Sequence, residues 1–262
     1  MTRKGGHNMW TRAELKSRGK ESIKRNYWIV VLVALVAGII NGQLTGNASY
    51  RGMKNEIENA GWDGGTMDLL TSPQFLVILT ALLGILVVFF VGFTLIKIFV
   101  GNPLLVGCNR FFVENSDRKA RFGLLGMAFQ GGNYSNIVLT MFLRNLFVWL
   151  WTLLLIIPGI VKSYSYSMIP YILAENPSIS RERAFEISRK MMDGQKFDAF
   201  VLDLSFIGWM ILSAFTCGIL DIFYVVPYRQ TTWAELYKVN REMALQNGIA
   251  SPEELRGFPF YQ

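Results

Sequence analysis

Residues 75–100 read FLVILTALLGILVVFFVGFTLIKIFV, a run in which Lys97 is the one charged side chain. A helix from Phe75 to Lys97, rising 1.5 Å per residue, covers about 33 Å, slightly more than the roughly 30 Å hydrocarbon core of a bilayer. A soluble core has little use for so long an apolar rod, so the stretch reads as a membrane-crossing helix with Lys97 at the membrane edge.

The rest of the chain agrees. Of its 262 residues 52% are hydrophobic and 17% charged, against roughly 25% charged in a soluble domain, and the mean hydropathy is +0.30. Such a composition also excludes disorder. Further apolar segments lie near 29–45, 137–158, 160–174, 197–215 and 218–237, making six expected spans. The predicted fold class is all-α, a polytopic helical membrane protein of three hairpins that turn at Pro158-Gly159 and Thr216-Cys217-Gly218, with cytoplasmic amphipathic helices. Residues 1–28 form the basic N-terminal helical segment, 29–237 the transmembrane domain with an external loop at 46–74, and 238–262 a cytoplasmic tail.

Lys and Arg concentrate in the loops that stay inside a membrane. The segment before the first span carries Arg12, Lys16, Arg18, Lys20, Lys24 and Arg25, and the linkers 107–136 and 175–196 are basic as well, with Arg110 and Arg118 in the first and Arg183 and Lys190 in the second. The 46–74 loop is acidic, with Glu56, Glu58, Asp63 and Asp68. These signs place both termini of a multi-pass membrane protein in the cytoplasm. A spacing also recurs: Gly92 to Pro103 matches Gly159 to Pro170, and Gly218 to Pro227 is two residues shorter. Each outside-to-inside helix thus has a proline near its cytoplasmic end.

Thr11-Arg12-Ala13-Glu14 fits a capping box, with Trp10 and Leu15 placed for a hydrophobic staple. In the helix that follows, Arg12, Lys16, Lys20 and Lys24 recur every fourth residue as one basic stripe, with Glu14–Arg18 and Glu21–Arg25 spaced for pairing beside it. Next to a span, such a stripe suits the headgroups of anionic phospholipid or serves as a topology signal with a solvated face; nucleic acid does not fit that position. Ser251-Pro252-Glu253-Glu254 predicts a second capped helix ending near Gly257.

Two charges fall inside the apolar segments. Arg144 and Asp203 sit about equally far from the cytoplasmic ends of their spans, so they form a candidate intramembrane ion pair. The other roles open to them are snorkelling by Arg144 with a wet Asp203, or an ion or substrate path. Lys97 and Arg229 lie near the same level and complete a candidate polar ring. Catalytic signatures are missing: no nucleophile elbow, zinc-protease helix, phosphate loop or dinucleotide fingerprint is present. One histidine, His7, and two cysteines, Cys108 and Cys217, leave little for a metal centre, so no cofactor is expected.

The combination of Trp10 to Lys16 with Asn26-Tyr27-Trp28, Gly132-Asn133-Tyr134, Ile157-Pro158-Gly159-Ile160, Lys162 to Tyr166, Pro170 to Pro177, Ser188 to Gly194 and Pro227-Tyr228 resembles the bacterial integral membrane proteins grouped as domain of unknown function 975. The resemblance implies a polytopic inner-membrane protein and carries no catalytic residue across. The expected function is non-enzymatic: an inner-leaflet basic face that binds anionic lipid or a membrane partner, which includes a second copy of the chain. The alternative is a small transporter or export accessory with a polar pathway through Arg144, Asp203 and Arg229.

Overall fold

A computed structural model describes residues 10–41, 73–216 and 218–257. The 46–74 loop, apart from its last two residues, therefore lies outside the described residues, as do His7, Cys217 and the tail from Phe258 to Tyr261. The described residues are helical, with no strand among them. In chain order the helices are α1 (Arg12–Arg25), α2 (Tyr27–Asn41), α3 (Pro73–Ile96), α4 (Asn102–Asp117), α5 (Tyr134–Leu154), α6 (Ile156–Ser165), α7 (Ile169–Glu175), α8 (Arg181–Met191), α9 (Lys196–Leu204), α10 (Ile207–Phe215) and α11 (Val226–Gln246). Wide π-helical turns at Lys97–Gly101 and Asp221–Val225 lead into α4 and α11.

Three helical stretches are long and apolar enough to cross a membrane: Phe75–Asp117, Tyr134–Leu154 and Lys196–Phe215. Their outer parts are bare of protein cover. Phe89 and Phe90 on α3, Leu153 and Leu154 at the end of α5, and Phe215 on α10 are all exposed. The opposite end of the molecule is a packed helical body. Its centre is built by α4, α7 and α11, whose buried residues include Phe111, Phe112, Ile172, Leu173, Leu236 and Tyr237.

The segments expected as fourth and sixth spans are shorter than predicted. Residues 160–174 form no single helix: α6 stops at Ser165, and α7 is wholly buried in the body. In the 218–237 segment, exposed apolar surface ends with Phe223, and α11 buries Thr231, Thr232 and Glu235 beyond it. Nor does the α5–α6 turn fall at Pro158-Gly159. The chain reverses at Leu155, whose backbone is extended (φ −156°), and Pro158 sits in the first turn of α6, where its missing N–H is not needed. Gly159 then meets α5 at close quarters, since a Cβ there would lie 2.6 Å from Thr152 Cα. That proximity explains glycine at this position.

The prolines of the recurring spacing share one local structure. Pro103, Pro170 and Pro227 each sit in the first turn of a buried helix: α4, α7 and α11. Proline lacks the N–H that would bond the carbonyl four residues back, which for these prolines is that of Phe99, Tyr166 and Phe223. Each of these carbonyls accepts from a side chain distant in sequence. Phe99 O accepts from the Tyr134 hydroxyl at 2.6 Å, Tyr166 O from Arg144 Nε at 3.0 Å and Phe223 O from the Tyr27 hydroxyl at 3.1 Å. Tyr166 O also takes a long bond from Ile169 N, 3.4 Å. Tyr134→Phe is expected to lower stability by about 1 kcal/mol, the usual worth of one such bond; unfolding in mild detergent, followed by circular dichroism, measures it, and an unchanged midpoint would count against this role.

Candidate functional site

Asp203, in the last turn of α9, is the best-bonded carboxylate at the foot of the apolar end. Its Oδ1 accepts from Arg229 Nε and Trp233 Nε1, both at 2.9 Å, and its Oδ2 from Arg229 Nη2 at 3.0 Å and the Tyr164 hydroxyl at 2.9 Å. Arg229 and Trp233 are four residues apart on α11 and so share a face. The Tyr164 ring stacks on Trp233, with centroids 6.3 Å apart. A carboxylate has about four acceptor positions, and all are taken. The group is a clamp that ties α6, α9 and α11 together, and a bidentate Arg pair of this kind is geometrically strict.

Arg144 is not its partner. The guanidinium bonds Tyr166 O through Nε and Asn145 Oδ1 through Nη1, 3.0 Å each. Equal depth did not bring Arg144 and Asp203 together because α6 intervenes: α5 packs on α6, and α6 on α9. The expected ring divides for the same reason, with Arg229 joining Asp203 while Lys97 joins Arg144. Lys97, Arg144, Asn102 and Asn145 line a groove of about 630 Å³ between α3 and α5, walled by Phe90, Phe93, Phe142 and Trp149. Among the described residues no carboxylate lines it and Lys97 has no ion-pair partner.

The basic stripe is only partly free. Thr11 caps α1, its hydroxyl accepting from Glu14 N at 3.2 Å, and Leu15, Gly19, Ser22 and Ile23 are buried, with Gly19 against Thr232 of α11. Trp10 is buried too and donates to Gln195 Oε1 at 2.9 Å. On the flank of this face Lys16 donates to Ser205 O at 3.3 Å and lies 4.5 Å from the centre of the Phe206 ring, while Lys20 is 5.7 Å from that of Tyr228. Arg12 and Lys24 are exposed. Burial, followed by the charges of Lys20 and Arg12, pulls the Lys16 ammonium below the usual lysine range. Glu14–Arg18 forms at 2.6 Å, but Arg25 turns to the carbonyls of Asn115 and Ser116 rather than to Glu21.

Several decisive ionic residues lie in the body, where the sequence suggests only basic linkers. Arg110, expected as a solvated loop cation, is 4% exposed and bonds Glu114 at 2.9 Å, which also holds Arg118 at 2.8 Å. Glu175 accepts from Tyr237, Arg241 and Gly257 N. Arg183 grips Glu254 and Glu186 at 2.5 and 2.8 Å. The 251–254 capping box forms, Ser251 N to Glu254 Oε2 at 2.8 Å and Glu254 N to Ser251 Oγ at 3.3 Å, yet it closes a single turn rather than a helix, and the Glu254 carboxylate is also held by Arg183. The local signals for these pairs are the i,i+4 spacing of Arg110, Glu114 and Arg118 and the i,i+3 spacing of Arg183 and Glu186.

Hydrogen bonding to Arg183, against some burial, holds the Glu254 carboxyl down at about 2, so its folded pKa lies below its unfolded value. Its stabilising contribution is complete above about pH 4.5 and is lost as pH falls toward 2. Wild type is expected to lose more thermal stability than Glu254→Gln over that window; parallel melting curves for the two would refute the assignment.

Among the described residues no group of three or more His, Cys, Asp or Glu side chains converges as a metal site. Comparisons with curated proteins and with solved structures find no match. A family match does exist, over residues 69–243, which hold the Asp203 clamp, the 630 Å³ groove and the three prolines of the joints, with Tyr27 outside the matched segment; the chain belongs to the family described as Protein of unknown function (DUF975).

Proposed function

We propose that this protein is a non-enzymatic, multi-pass protein of the bacterial plasma membrane whose basic α1 face engages anionic phospholipid at the inner leaflet. In this reading the apolar segments enter the bilayer as three pairs, with α6 and the 219–225 segment as the short members, and both termini stay cytoplasmic. The observation that carries it is the position of the stripe: Lys16 and Lys20 lie over Phe206 and Tyr228, at the foot of the exposed apolar α10. Cations flanking an apolar surface in this way suit the headgroup layer, where each contributes about 1 kcal/mol toward anionic lipid. A pathway through Arg144, Asp203 and Arg229 is less favoured, since Asp203 has no acceptor position left for a passing ion.

Tryptophan quenching in vesicles tests the reading. Brominated anionic phospholipid is expected to quench the reconstituted protein more strongly than brominated phosphatidylcholine, with the preference shrinking in high salt. It should shrink also when Arg12, Lys16, Lys20 and Lys24 are all replaced by alanine. Quenching indifferent to lipid charge and to salt would overturn the proposal, as would terminal tags found on opposite faces.

A further inference from the structure

We infer that the groove between α3 and α5 is a discrete binding site for one anionic phospholipid, its phosphate held by Lys97 and Arg144 and its acyl chains lying on Phe90, Phe93, Phe142 and Trp149. The inference depends on the reading above only in placing this groove within lipid.

Four observations converge. Two cations line the groove, and among the described residues no carboxylate lines it to neutralise them. Arg144 spends Nε on Tyr166 O and Nη1 on Asn145, which fixes the plane of the guanidinium and leaves Nη2 without a partner among the described residues. Asn102, 4% exposed, uses Oδ1 to accept from Asn145 at 3.3 Å, while its Nδ2 is buried with no partner. A buried donor left unpaired is costly, and this one belongs to a residue of the groove wall. Finally, the remaining walls are aromatic and aliphatic, and the volume of about 630 Å³ admits a headgroup with the upper part of its chains. A compact inorganic anion would satisfy the cations but leave the aromatic walls unused, so the phospholipid is the better fit.

Arg144 also supports the fold, so Lys97, exposed and without a side-chain bond among the described residues, is the residue to change. Protein extracted in mild detergent, washed in high salt and examined by native mass spectrometry is expected to retain one anionic phospholipid per chain. Lys97→Glu should weaken retention by at least about tenfold, the worth of one charge-assisted contact. Leu146→Trp, which fills the groove without altering a charge, should do the same. The variant lacking the four α1 cations should keep the lipid. Equal retention by wild type and Lys97→Glu, equal retention of phosphatidylcholine, or complete displacement by millimolar inorganic phosphate would each overturn the inference. Loss of charge-dependent quenching with retained lipid would sink the inner-leaflet proposal alone; preserved quenching with no retained lipid would sink the groove alone.

Discussion

Glu175→Ala is expected to destabilise the protein by about 3–5 kcal/mol, the range for a buried ion pair stripped of one partner. The Glu175 side chain has no exposed surface. Its two oxygens accept from Tyr237 Oη at 2.6 Å, Arg241 Nε at 2.7 Å and Gly257 N at 2.5 Å. Alanine leaves a phenol, a guanidinium and a backbone amide without their acceptor in the middle of the body, and the loss is large against a total stability of about 5–15 kcal/mol. Because Arg241 also donates to Leu255 O at 2.9 Å, the 251–257 segment should come loose as well. Thermal unfolding in detergent gives the first effect, and limited proteolysis near Arg256 the second. A loss under about 1 kcal/mol with the C-terminal segment still protected would refute this account.

The second large effect is at the clamp. Asp203→Ala strands Arg229, Trp233 Nε1 and the Tyr164 hydroxyl together, and a loss of about 2–4 kcal/mol is expected, below the fully buried range because the Arg229 side chain is 32% exposed. Removing the stranded charge as well should restore part of the loss, so Asp203→Ala with Arg229→Leu is expected to be more stable than Asp203→Ala alone. Strict additivity of the two changes would mean that the side chains do not hold each other. The earlier candidate pair supplies the control: Arg144→Ala and Asp203→Ala should add within about 0.5 kcal/mol, since the two share no bond.

Local physics was the legible part of the sequence. The α1 cap and the burial of Trp10 and Leu15 follow from residues within five positions of one another, and the apolar runs at 75–100, 137–158 and 197–215 contain the helices that lack protein cover. The glycine-to-proline spacing located three joints of common construction. What one dimension does not carry is adjacency. Depth along a span put Arg144 level with Asp203, but α6 separates their helices, and Arg229 was the cation within reach. Arg110 misled for a related reason: counting basic residues in 107–136 treats each as solvated, although Glu114 stands one turn away and both fold into the body. Glu175 gave no sign of its role because Tyr237 and Arg241 lie more than sixty positions downstream.

The three proline joints link distant positions of the chain in heredity as well as in space. An ordinary residue in place of Pro103 would bring its own amide toward Phe99 O, and Tyr134 would then be freer to vary; the same holds for Pro227 with Tyr27, whereas Arg144 would still be kept by its place in the groove. At the two tyrosine joints, ring and remote donor should therefore be gained and lost as couples among descendants of this gene.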